Sequence, residues 1–149
     1  MRHNWSILCE KSSIDIGTNQ LSIFNCIEEI NLTINRIKDP KEPFRIPAIF
    51  EIISFWTIEN SKKENKIMLK YDFVSPNNEI LSSIEPTHKI PPGQLRFRDR
   101  NFIHGLTVTT AGKYLIKIYQ KEIPSKTFDL VKEIPLDINI SYKIATTKK

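Results

Sequence analysis

Along most of the chain, apolar and polar residues alternate one for one, the period of a strand whose two faces meet different surroundings. Residues 136–143 show it cleanly, with Leu136, Ile138, Ile140 and Tyr142 set between Asp137, Asn139, Ser141 and Lys143. Residues 66–74 repeat the pattern: Ile67, Leu69, Tyr71 and Phe73 are predicted to face a core, and Lys66, Lys70 and Asp72 to face solvent. Residues 48–58 are apolar on both faces, as a central strand covered from both sides would be. Residues 28–37 fit two periods. Ile27, Ile30, Ile34 and Ile37 have helical spacing, whereas Ile30, Leu32 and Ile34 alternate with Asn31, Thr33 and Asn35. Asn and Thr are poor helix formers, which tips this segment toward a strand.

Turn residues divide these segments. Gly17-Thr18 suits a two-residue type II′ turn joining Trp5–Glu10 to Gln20–Ile27. The resulting register sets Cys9 opposite Cys26. Leu8, Ile14, Leu21, Ile23 and Ile27 then share one face, and Ile7, Cys9, Phe24 and Cys26 the other. Lys38–Pro43 reads as a loop from its prolines and charges, and Ser75–Asn78 as a turn leading to a strand at 80–84. Three prolines between Pro86 and Gly93 predict that pairing is interrupted there. Further strands are expected at 94–100, 102–109, 114–121 and 128–134, with turns at Ala111-Gly112 and Pro124-Ser125 and a short flexible tail at 145–149. The whole predicts a single all-β domain over residues 1–149. Its eight or nine strands form a two-sheet antiparallel sandwich, immunoglobulin-like or jelly-roll-like, with a barrel as the second choice.

Composition supports the strand reading. Isoleucine occurs 25 times in 149 residues and alanine only at 48, 111 and 145, a balance that favours pleated strands over helices. No apolar run approaches the roughly 20 residues of a membrane-spanning helix, and the opening residues lack the pattern of a secretory signal. These readings lead to the expectation of a cytoplasmic chain without membrane attachment. In a reducing compartment Cys9 and Cys26 are expected as two buried free thiols, although their register is compatible with a disulfide.

Net charge is +5, and it is unevenly spread. Residues 1–88 hold 10 basic and 12 acidic side chains, whereas residues 89–149 hold 12 basic and 5 acidic. The densest cluster is Leu95-Arg96-Phe97-Arg98-Asp99-Arg100. In a strand, Arg96, Arg98 and Arg100 project from one face about 7 Å apart, and guanidinium groups recognise phosphate or carboxylate bidentately. Lys113, Lys117 and Lys121 form a second same-face row that could extend the basic surface, and Phe102 could add base stacking. The competing reading pairs the arginines with Glu51, Glu59 or Asp72 on neighbouring strands, and Asp99 within the run weakens the case for nucleic acid.

Motifs of catalysis are missing. There is no phosphate-cradling glycine loop, nucleophile elbow, His-Glu-x-x-His or Cys-x-x-Cys, and His3, His88 and His104 show no spacing that couples them to each other or to a cysteine. No cofactor and no metal site is therefore expected. Of the large aromatic residues, Trp56 suits the core, while Trp5 and Phe44 are candidate contacts for a partner.

Several segments together resemble a family of small uncharacterised bacterial β-sandwich proteins, known as a domain of unknown function. They are Ile7-Leu8-Cys9-Glu10, Asp15, Gln20-Leu21-Ser22-Ile23-Phe24, Glu28-Glu29-Ile30 with Pro47, Ala111-Gly112-Lys113-Tyr114 and Pro135-Leu136-Asp137-Ile138. The chain departs from that pattern at Asn25, where many members carry glycine. The resemblance implies a β-sandwich inside the cell and implies no activity. The function expected from the sequence is a non-enzymatic binding or assembly module for a protein partner or a second copy of itself. The alternative is a binder of polyanions or nucleic acid through the arginine row.

Overall fold

The computed structural model describes residues 1–35 and 43–143. Among them are ten strands and no helix: β1 (Arg2–Ile14), β2 (Leu21–Cys26), β3 (Glu29–Asn35), β4 (Phe44–Thr57), β5 (Asn65–Val74), β6 (Ile80–Ile84), β7 (Thr87–Ile90), β8 (Arg96–Val108), β9 (Gly112–Glu122) and β10 (Asp129–Lys143). They form a four-stranded sheet in the order β2-β1-β4-β8 and a six-stranded sheet in the order β3-β10-β9-β5-β6, with β7 also pairing β5. Neither sheet closes on itself, so the sandwich expectation holds and the barrel does not. No helix among the described residues is long and apolar enough to cross a membrane. The loop expected at Lys38–Pro43 falls, but for Pro43, outside the described residues, and so does the tail at 145–149.

Alternation places the core where the sequence predicts it. Ile67, Leu69, Tyr71 and Phe73 of β5 meet Tyr114, Ile116 and Ile118 of β9, Leu136 and Ile138 of β10, and Phe50, Ile52 and Trp56 of β4 in one buried cluster. The hairpin register is also as expected, with Cys9 opposite Cys26 and Ile14 opposite Leu21. The turn that sets it differs. Asn19, at φ 55°, supplies the left-handed residue in place of Gly17, and the Asp15 carboxylate caps the turn by accepting from Thr18 N (2.6 Å) and Thr18 Oγ1 (2.8 Å). A capped six-residue loop therefore does the work of a two-residue turn.

Five other expectations are corrected. The segments 94–100 and 102–109 are one strand, β8, because Asn101 continues the ladder opposite Ile52. The segments 128–134 and 136–142 are likewise one strand, β10, running through Pro135. Asp137 N donates to Glu28 O on the β3 side, and by alternation the Pro135 nitrogen faces that same side one step before β3 begins, so no ladder bond is lost. The proline-rich stretch holds β7, since Pro86 and Pro91 flank that strand without entering it. Further, β3 pairs β10 in parallel, the single parallel pair among otherwise antiparallel neighbours. Asp72, expected in solvent, is buried, accepts a hydrogen bond from Ser83 Oγ and lies 3.2 Å from Lys70 Nζ.

A polar network crosses the apolar interior. Asp99, buried on the inner face of β8, accepts from Tyr71 Oη and from Asn101 Nδ2 (2.6 Å), and His88 Nε2 lies 3.0 Å from its other oxygen. Tyr71 Oη is 3.2 Å from Ser54 Oγ, which contacts Ser6 Oγ at 2.7 Å, and Ser6 in turn meets His3 Nε2 at 2.7 Å. Burial and the Asp99 charge push the Tyr71 phenol far above its usual range, so it remains a donor. Burial, with the Lys132 charge, holds the His3 imidazole below its usual value. Because Tyr71 belongs to the six-stranded sheet and Asp99 to the other, this network is a specific link between the layers. Tyr71→Phe strips Asp99 of that donor and is expected to lower stability by about 1–3 kcal/mol, read as a lower urea midpoint at unchanged slope.

Candidate functional site

The outer face of the four-stranded sheet carries the charged cluster. Alternation along β8 turns Phe97, Asp99 and Ile103 inward, leaving Arg96, Arg98, Arg100 and Phe102 on the outside. Asp99 thus lies on the opposite face from the arginines and does not interrupt their row. Phe102 does share that face, and the Arg100 guanidinium lies 5.3 Å from its ring centroid.

The three arginines have different surroundings. Arg100 Nε donates to Glu51 Oε1 at 2.7 Å, and its Nη2 donates to the Ser12 carbonyl at 3.2 Å. Glu51 is only 1% exposed although it points away from the main core, as do fully buried Ile53 and Cys9. The register explains their burial: Ile53 is flanked by Ile7 and Arg100, and one step along the strand Phe55 stacks on Trp5 at 5.5 Å. Arg98 holds the hairpin turn, donating through Nη1 to Asn19 Oδ1 and through Nη2 to Asn19 O, both at 3.0 Å. β1 leaves its partner β4 after Cys9, so these bonds draw the far half of the hairpin across to β8. The Arg96 carbonyl accepts from Gln94 Nε2 at 2.8 Å, and its guanidinium has no hydrogen-bond or ion-pair partner among the described residues.

A cleft of about 690 Å³ lies between the hairpin turn and the start of β8. Arg96, Arg98 and Gln94 form one wall, and the turn residues Thr18, Asn19 and Gln20 form another. Ile14 and Leu21, paired across the hairpin, supply an apolar side. None of its lining residues is acidic.

The remaining candidate residues lie elsewhere. Lys113, Lys117 and Lys121 share a face as expected, but on β9 of the six-stranded sheet, pointing away from Tyr114, Ile116 and Ile118 in the core. They cannot extend the arginine row, because the two rows occupy opposite outer faces. Lys113 stands opposite Asp137, Lys117 Nζ lies 3.3 Å from Glu133, and Lys121 Nζ lies 4.4 Å from the Phe128 ring centroid. Of the carboxylates weighed as arginine partners, Glu51 serves Arg100, while Glu59 faces the Met1 ammonium and Asp72 faces Lys70. Trp5 is half-buried against Phe55, and Phe44 is half-buried against the core opposite Val108.

Both cysteines are free thiols, but only Cys9 is buried; Cys26 is exposed, which corrects that half of the expectation. Burial, reinforced by the Glu51 charge, pushes the Cys9 thiol up to about 11. Among the described residues, no group of three or more His, Cys, Asp and Glu side chains is arranged to hold a metal ion. No family model and no curated protein matches the chain.

Two measurements test this geometry. Arg100→Ala leaves the Glu51 carboxylate buried without its cation and is expected to cost about 3–5 kcal/mol in chemical denaturation. Arg98→Ala removes bonds to a neutral partner and should cost no more than about 1.5 kcal/mol. A disulfide-exchange reagent at pH 8 is expected to titrate one thiol, Cys26, in the folded protein and two after denaturation.

Proposed function

We propose that the protein is a non-enzymatic, intracellular binding module that docks a protein partner, a second copy of itself included, on the outer face of its four-stranded sheet. The observation that carries this reading is the apolar surface there. Phe102 is 62% exposed and Ile49 is 68% exposed, and the register makes them diagonal neighbours, since Glu51 pairs with Phe102 and Ile49 follows on the same face of β4. Phe24, 48% exposed, lies on the corresponding face of the adjoining hairpin. Clustered large apolar side chains bordered by polar groups, here Arg45, His104 and Lys11, are the usual makeup of a contact surface. Trp5 extends the same face at its far end, while Phe44 serves the core.

The outer face of the other sheet differs in kind, with Lys113, Lys117 and Lys121 in a row. Free thiols at Cys9 and Cys26, facing each other across a strand pair, fit a reducing cell interior. We further propose kinship with the bacterial β-sandwich family, a reading that draws on two features. Asn25 adopts φ 52°, a conformation that the family's glycine takes without strain. Tyr114 of the Gly-x-Tyr segment bonds back to its own turn, accepting from Thr109 N at 2.9 Å and donating to Thr110 O at 2.7 Å. The polyanion alternative draws on the arginine row, two of whose members are held by Glu51, Ser12 and Asn19.

Docking through Phe102 is expected to give a concentration-dependent mass in light scattering. Phe102→Ser, which adds no charge beside Glu51 and Arg100, should weaken that association by at least about thirty-fold, near 2 kcal/mol, with the fold intact by circular dichroism. A wild-type protein that stays monomeric, and whose recovered partners bind Phe102→Ser equally well, would defeat the reading.

A further inference from the structure

The cleft at the hairpin turn opens on the same outer face as the docking surface and shares none of Phe24, Ile49 and Phe102 with it. Its cationic wall is half committed. Arg98 spends one N–H of each terminal nitrogen on Asn19, which fixes the plane of its guanidinium and leaves its other three donors unassigned. The Arg96 guanidinium has no partner among the described residues, so its five donors are unassigned as well. The two side chains leave the same face of β8 about 7 Å apart, a span that one oxyanion bridges with a contact on each side.

The opposite wall is preset. Asp15 caps the turn through two bonds from Thr18, and the left-handed Asn19 presents its carbonyl and side-chain oxygen to Arg98. The turn therefore holds a cation in place and sets no carboxylate against it within the cleft. The Ile14–Leu21 pair makes one side apolar, and the volume lies within the roughly 300–1,000 Å³ of small-molecule sites. A bare inorganic ion would leave that apolar side uncovered.

The geometry points to a site for a small organic anion, a phosphate monoester or a carboxylate carried on an apolar body, with Arg96 and Arg98 holding the oxyanion and Ile14 and Leu21 covering the body. This site is independent of the Phe102 surface, so either can fail without the other.

The test follows the arginine Nε–H signals of the full chain by nitrogen-edited NMR at low salt. Phenyl phosphate and phenylacetate are the probes; inorganic phosphate, benzyl alcohol and a short oligothymidylate are the comparisons. Arg96 and Arg98 should shift along one saturable curve with at least one aromatic anion, while Arg45 and Arg100 stay in place. Inorganic phosphate should bind more weakly, and benzyl alcohol should leave the signals unmoved. Arg96→Gln, at an exposed position, should weaken binding at least ten-fold with the fold intact by circular dichroism. The inference is overturned by the absence of a saturable shift, by equal shifts at all arginines, by unchanged binding in Arg96→Gln, or by a response to oligothymidylate alone.

Discussion

A carboxylate enclosed in a sheet must find donors or a counter-charge there, and Glu51 imposes that requirement on the outer layer of this protein. It stands in the middle of β4, almost wholly removed from water, with Arg100 as its counter-charge. A buried carboxylate without such a partner is strongly destabilising, so Arg100 has little freedom to serve anything else. Through its second bond, to the Ser12 carbonyl, the same guanidinium also fixes where the β1–β2 hairpin lies. Arg98 then reaches the hairpin turn, and Arg96, at the start of the strand, is left to face the cleft. The sequential row of three arginines thus becomes an anchor, a tether and an unassigned donor.

The interior solves a different problem. Isoleucine makes good strands and dense packing, but its uniformity does little to distinguish one pairing of the two layers from another. Tyr71 and His88, from one layer, supply that distinction: they meet Asp99 and Ser54 of the other layer only when the sheets are correctly placed, and Ser6 and His3 continue the chain within the four-stranded sheet. Such networks are costly when incomplete and serve as markers of alignment when complete.

The sequence conveys most clearly whatever depends on alternation. The inward row from Ile67 to Phe73 and the shared face of Arg96, Arg98 and Arg100 follow from period two, whereas the pairing of Cys9 with Cys26 follows from where the hairpin turns, and it survives the change of turn type because the centre stays between residues 17 and 18. Alternation also places Asp99 on the inner face, yet its role there depends on Tyr71 and His88, which are remote in sequence. Prolines mislead because their effect depends on which neighbour is missing: Pro135 sits in a strand without loss, and Pro86 and Pro91 only bracket one. The split of the arginine row and the separation of the two basic rows are legible only after the strand order is known. Local patterning carries no trace of that order.

The parallel strand pair has a consequence for biosynthesis. After β2 the chain leaves the four-stranded sheet, and β3 finds its partner among the described residues in β10, where Thr33 meets Ser141 at a sequence separation of 108. At translation rates of about 5–20 residues per second, β3 waits about 5–20 s on the ribosome before that partner emerges. Throughout that interval β3 lacks its sheet partner, and the alternating Asn31 and Thr33 give the waiting strand one polar side that resists sticking to other nascent chains.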